Sequence, residues 1–199
     1  MASNPDTVTG AAAGRPNSMS ETGERTSLAP EHDAATPFAG TRIMHTFRLV
    51  GIDHAQFEPL FRLSGAQLKA RGVERRIATE SPGFPCRISL EDAEVGDELL
   101  LLPYRHQPAA SPYRASGPIY IRRGARQATL AVDEVPSCVA RRLMSVRAYD
   151  AEHMMVAAEV CEGSLVAPEI RRLFANDRVA YLHLHNAKQG CFSCLVNRA

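Results

Sequence analysis

VAYLHLHNAKQGCFSCLVNRA, residues 179–199, is the stretch on which the fold turns. Side chains of a β-strand alternate between two faces, so Ala180, Leu182 and Leu184 fall on one side and Tyr181, His183 and His185 on the other. Residues 186–190, N-A-K-Q-G, have the composition of a turn. The returning strand divides into an apolar set, Phe192, Cys194 and Val196, and an opposite set, Cys191, Ser193, Leu195 and Asn197. Laying the two apolar sets together against a core pairs His185 with Cys191 and His183 with Ser193. The stretch therefore predicts a β-hairpin that gathers two imidazoles and a thiol on one face.

Upstream, Leu165, Ile170, Leu173 and Phe174 recur at helical spacing and predict a helix over residues 165–176, with Pro168 near its start. Residues 143–149 and 154–161 suit two adjacent antiparallel strands joined near Asp150. Asp133 reads as the cap of a helix over 136–142, since proline is tolerated in a first turn. Residues 97–104 and 118–123 read as strands, Gly124 as a turn, and the Pro-rich stretch between the strands as a loop. A strand is expected at 73–79 and a loop at S-P-G-F-P-C-R, residues 81–87. Asp53 with Gln56, and Ser64 with Gln67, have capping-box spacing and open short helices over about 54–62 and 65–71. The first strand is expected at 45–51. Strands dominate and the helices are short insertions, which predicts an α+β fold on a mainly antiparallel sheet that could curve into a barrel.

Residues 1–43 are rich in Ala, Ser, Thr, Gly, Pro and Asp and hold few large apolar side chains, so they read as a disordered extension to a single domain over 44–199. Met44 directly precedes the first strand and is an alternative start of translation. With 23 Lys and Arg against 22 Asp and Glu, the net charge is +1, which gives no global field for nucleic acid or an anionic membrane. The cysteines, at 86, 138, 161, 191 and 194, are odd in number and scattered, unlike a disulfide framework, and fit a reducing compartment. No run approaches the ~20 apolar residues of a membrane helix. A cytoplasmic protein is expected, with a small molecule as its partner and with cofactor and oligomeric state unassigned.

The hairpin cluster of His183, His185 and Cys191 admits three uses. His185 could take the proton of Cys191 and raise its nucleophilicity; the same groups with a fourth ligand could hold zinc; or they could be structural, hydrogen-bonded to nearby backbone. Cys191 and Cys194 have C-x-x-C spacing, but positions three apart in a strand face opposite ways, so Cys194 reads as core. Asn186, at the turn, is a further ligand-contacting candidate. Arg87, in a loop with Cys86 and Ser89, could anchor a carboxylate or phosphate, or instead pair with an acidic residue among 91–98; Ser89 could cap the turn that follows. Tyr104, Arg105, His106, Gln107, Tyr113, Arg114 and Ser116 fall in the Pro-rich loop, where Tyr and Arg could flank a planar or anionic ligand. No Walker loop, G-x-G-x-x-G, H-E-x-x-H or G-x-S-x-G occurs.

P-C-R-I-S-L at 85–90, L-L-L-P-Y-R-H-Q at 100–107, S-P-Y-R-A-S-G-P-I at 111–119, R-A-Y-D at 147–150 and H-L-H-N-A-K-Q-G-C-F at 183–192 together resemble an uncharacterised bacterial family of the domain-of-unknown-function kind. The resemblance spans about residues 47–198 and implies a single domain; the family carries no established activity, and Cys194 lies outside its motif. The residues themselves lead to a small enzyme acting on a polar or anionic molecule through Cys191 and His185, with Arg87 or Arg114 as anchor. The competing expectation is a non-catalytic binding or interaction module with a pocket of Tyr104, Tyr113, Arg114 and Ser116. A metal-binding protein is the third.

Overall fold

A computed structural model describes residues 45–199; the expectations for residues 1–43 and Met44 lie outside the described residues. Alternation and short turns build ten strands, which form two five-stranded sheets. The first sheet contains β1 (Phe47–Val50), β7 (Leu143–Tyr149), β8 (Met155–Glu162), β9 (Tyr181–Asn186) and β10 (Phe192–Arg198), in the order β1-β10-β9-β7-β8. The second contains β2 (Glu74–Ile77), β3 (Pro85–Cys86), β4 (Glu91–Asp92), β5 (Glu98–Gln107) and β6 (Ala115–Arg122), in the order β2-β5-β6-β3-β4. All pairings are antiparallel except β3 with β6. The α+β class holds, and neither sheet closes into a barrel.

Three short helices complete the described chain: α1 (Gly65–Lys69), α2 (Ser137–Ala140) and α3 (Val166–Phe174). The predicted capping box of α1 is present, Ser64 Oγ accepting from Gln67 N and Gln67 Oε1 accepting from Ser64 N. Asp53 makes only a local turn, accepting from Ala55 N at 3.0 Å, and the chain enters a 3-10 turn at Glu58–Arg62 instead of an α-helix. Asp133 does not cap α2. It sits at φ 62°, accepts from Phe47 N at 3.0 Å and pairs with Arg171 of α3 at 3.1 Å, tying β1 to α3.

Val166, Ile170, Leu173 and Phe174 form the buried stripe of α3 and cover one face of the first sheet, where Leu182, Leu184, Met144, Val146, Cys194 and Val196 make a core. Each such side chain contributes about 1.5–3 kcal/mol by leaving water. A second core joins Leu100, Leu102, Ile119 and Ile121 of the second sheet to Phe57, Phe61 and Leu68 beneath them; Phe192 enters it from the first sheet. The histidine face of β9 is thereby brought toward the second sheet. Among the described residues no helix is long and apolar enough to cross a membrane.

The strand β5 runs three residues beyond its expected end, through Arg105, His106 and Gln107, and β6 begins three residues early, so Ser116 is also in a strand. Pro103 and Pro118, both inside the expected strands, pair directly with each other. Neither has an N–H to give, so they meet as a non-hydrogen-bonded antiparallel pair, the one ladder position that tolerates both.

Candidate functional site

The alternation read for β9 holds, but the register of the hairpin departs from the expected one. His185 pairs with Phe192, not with Cys191; beyond an irregularity at Ser193, Leu184 pairs with Cys194 and His183 with Leu195. The tip is slipped by one residue and the stem by two. Simple alternation puts Phe192 and Cys194 on one face, whereas an extra residue between them, a β-bulge, reverses the phase. Phe192 consequently turns toward the imidazoles, and Cys191 pairs by backbone with Asn186, whose N donates to its carbonyl at 2.9 Å. His185 and Cys191 are not hydrogen-bonded to each other: His185 Nδ1 lies 3.0 Å from the Gly190 carbonyl and Cys191 Sγ lies 3.8 Å from that of Gln189.

His183 and His185 instead meet a third imidazole, His106, from the second sheet. Ring centroids are 5.0 Å apart for His106 and His185, 6.1 Å for His106 and His183, and 6.2 Å for His183 and His185. The Phe192 ring lies among them, stacked on His106 at 5.3 Å and edge-on to the other two. The alternation of Leu100, Leu102 and Tyr104 carries on to His106. The pairing of β5 then shifts between Tyr104 and Gln107, a second bulge, so that the adjacent Gln107 is also buried.

Burial pushes His183 down to about 3, with further repulsion from His185, His106 and Arg147, and His185 down to about 4. His106 is lowered by burial and by Arg147. A carbonyl only accepts, so neutral His185 carries its proton on Nδ1 and presents Nε2 as a bare acceptor. That Nε2, His183 Nδ1 and His106 Nδ1 are buried without a hydrogen-bond partner among the described residues. No group of three or more His, Cys, Asp and Glu among those residues is arranged to hold a metal ion.

His106 and His183 line a cleft of about 780 Å³ between the sheets, together with Tyr104, Gln107, Tyr181 and Phe192. Gln107 Nε2 donates to the Tyr181 hydroxyl at 2.7 Å, and that hydroxyl lies 3.0 Å from His153 Nδ1. The hydroxyl thus accepts from the amide and shares a hydrogen bond with the His153 imidazole. Burial raises the phenols of Tyr104 and Tyr181, keeping them protonated.

The other sequence candidates separate into three places. Arg87, Asn186 and Cys191 share a hollow of about 370 Å³ with Tyr120, Arg142 and Gln189. Ser116 lines a different surface hollow with Gly117 and Pro118. Tyr113 touches the cleft's aromatic set only through Tyr149, edge-on at 6.2 Å, and Arg114 is exposed, donating to the Ala109 carbonyl at 3.2 Å. Arg87 makes no pair with residues 91–98: Asp92 is held by Arg142 and Arg141, and Glu91 and Asp97 by Arg122. Ser89 Oγ caps nothing among the described residues. Tyr181, His153 and Phe192 were not singled out as site residues, and Gln107 was named only as part of the Pro-rich loop. Continuing the Leu100, Leu102, Tyr104 alternation one step would have carried His106 to the inner face.

A family described as protein of unknown function, DUF1203, matches residues 83–198, more than half of the sequence. The chain belongs to the DUF1203 family. The matched region contains all three imidazoles of the cluster and the Arg87 hollow, whereas Asp53 and Gln56, on the cleft wall, precede it. No curated protein and no solved structure matches this DUF1203 chain.

Proposed function

We propose that this DUF1203 protein binds a neutral small molecule in the cleft between its sheets: a ligand with a planar, largely apolar body and hydrogen-bonding groups at its edge. The observation that carries the reading is the make-up of the cleft wall: His106 and His183, held neutral, beside the Tyr104, Tyr181 and Phe192 rings and the Gln107 amide. His106 Nδ1 and His183 Nδ1 are buried without partners among the described residues, and turning either ring toward a ligand edge would satisfy an atom that the packing leaves unpaired. Imidazoles held neutral do not select an anion, and the two charged residues of the wall, Arg105 and Asp53, are opposite in sign. Tyr104, Tyr181 and Phe192 offer ring faces and edges to a flat body, and the volume lies in the range of small-molecule sites, roughly 300–1,000 Å³. The described lining residues include no Ser, Thr or Cys, so no hydroxyl or thiol nucleophile of those kinds stands on this wall.

The test is a screen of neutral heteroaromatic fragments by ligand-observed NMR, followed by titration of binders into protein with ¹⁵N-labelled histidine. Binders should shift the His106 and His183 ring nitrogens and lose their signal in His183→Leu. Binders that leave both rings unmoved, or no binders from such a library, would overturn the reading.

A further inference from the structure

The hollow beside Arg87 shares no lining residue with the cleft. Arg87 is only 3% exposed. Its Nε donates to the Phe192 carbonyl at 2.8 Å and its Nη1 to the Pro85 carbonyl. Nη2 makes no hydrogen bond within the described residues, and Arg87 forms no ion pair with any of them. The nearby carboxylates are already engaged: Arg142 grips Asp92 with both terminal nitrogens, Arg141 approaches the same group at 3.7 Å, and Arg122 holds Glu91 at 3.2 Å and Asp97 at 3.5 Å. No acidic residue lines the hollow.

A guanidinium keeps its proton inside proteins, and a buried charge faced only by carbonyl dipoles is costly unless a counter-charge completes it. Burial, above all, pushes Arg87 below the usual guanidinium range, and Arg142 adds repulsion. Asn186, 8% exposed, lines the same hollow and its side-chain amide has no hydrogen bond within the described residues. Leu101, Pro118 and Tyr120 supply an apolar wall.

We propose that this hollow binds a small organic anion, its carboxylate or phosphate oxygens on Arg87 Nη2 and the Asn186 amide, its body against Leu101 and Tyr120, and the Cys191 thiol beside the headgroup. Planar donors of a guanidinium match both oxyanions. The cleft ligand is neutral and this one charged, so the two sites are independent in what they recognise.

Cys191 makes the site testable in the full-length protein, with N-acetylcysteine in the same buffer as the reference thiol, because Glu159, Glu162 and Glu169 around Cys161 would themselves repel iodoacetate. Alkylation of Cys191 by iodoacetate and by neutral iodoacetamide is followed by peptide mass spectrometry. The iodoacetate-to-iodoacetamide rate ratio should be about tenfold or more higher at Cys191 than for N-acetylcysteine, the value of one good charge-assisted contact. The iodoacetate rate should saturate, and inorganic phosphate should slow it without slowing iodoacetamide. Arg87→Gln, if folded, should erase the preference; the phosphate arm needs no variant. A Cys191 ratio equal to that of N-acetylcysteine, without saturation or phosphate protection, would overturn the proposal. So would a Cys191 that reacts with neither reagent, since the hollow would then be closed to small molecules.

Discussion

Arg87 Nε donates to the backbone carbonyl of Phe192 at 2.8 Å, while the ring of that same Phe192 stacks on His106. One residue of β10 therefore fixes a guanidinium with its main chain and packs among three imidazoles with its side chain. The Arg87 hollow and the aromatic cleft are built on a common piece of backbone, with different atoms facing each.

Acid should destabilise the protein through its buried imidazoles. An ordinary histidine titrates near 6.5, whereas His183 and His185 are held at about 3 and about 4. Between those values the unfolded chain binds protons that the folded one refuses, so stability is intact above pH 6.5 and falls as pH drops toward 4. The limiting slope is ~1.4 kcal/mol per pH unit for each histidine. Urea midpoints measured from pH 7 to pH 4.5 should decline steeply in the native protein and clearly less steeply in His183→Gln, with His185 and His106 still contributing; parallel declines would contradict the assignment.

Glycine at 163 is required by contact, not by conformation. A Cβ there would come within 2.0 Å of the Val139 carbonyl oxygen and 2.6 Å of that of Arg142, both backbone atoms with little room to yield. Gly163→Ala should cost about 2 kcal/mol or more. Gly65, at the start of α1, has nothing within 4 Å of a built Cβ, and Gly65→Ala should be neutral or slightly stabilising. Thermal unfolding of the two variants gives the contrast directly.

Asp92 carries the charge balance on the α2 side of the molecule. Its side chain is 6% exposed and receives both terminal nitrogens of Arg142. Asp92→Asn should lower stability by roughly 3–5 kcal/mol, because Arg142 would be left unmatched close to Arg87. Chemical denaturation measures the loss, and a change below about 1 kcal/mol would mean the pair behaves as a surface one.

Removing the Tyr181 hydroxyl should loosen the link between the sheets at the cleft. Tyr181→Phe leaves Gln107 Nε2 and His153 Nδ1 without their shared partner and should cost about 1–2 kcal/mol. Hydrogen exchange should quicken at the end of β5 and in the β7–β8 turn, with the α3 side of the first sheet unaffected.

Much of this fold was legible because local pattern and tertiary outcome agree. The inward run of Leu182 and Leu184, the stripe of α3 and the Ser64 capping box are each decided within a few residues. Two kinds of feature were not. Asp133 bonds to Phe47 and Arg171, partners far away in sequence that no local signal names. The bulges in β5 and β10 each add one residue to a strand, and alternation cannot detect an extra residue when both phases offer plausible side chains, as F-S-C at 192–194 does. The shared face of His183 and His185 was accordingly legible, while the approach of His106 from another strand and the true position of Cys191 depend on contacts distant in sequence or on the bulge.

Ser193 thus has an effect out of proportion to its size. Phe192 and Cys194, two apart in sequence, are sewn into separate oil droplets, one under the second sheet and one under α3. The ribbon acts as a stitch between layers, so loosening either droplet tugs on the other through a single spare residue.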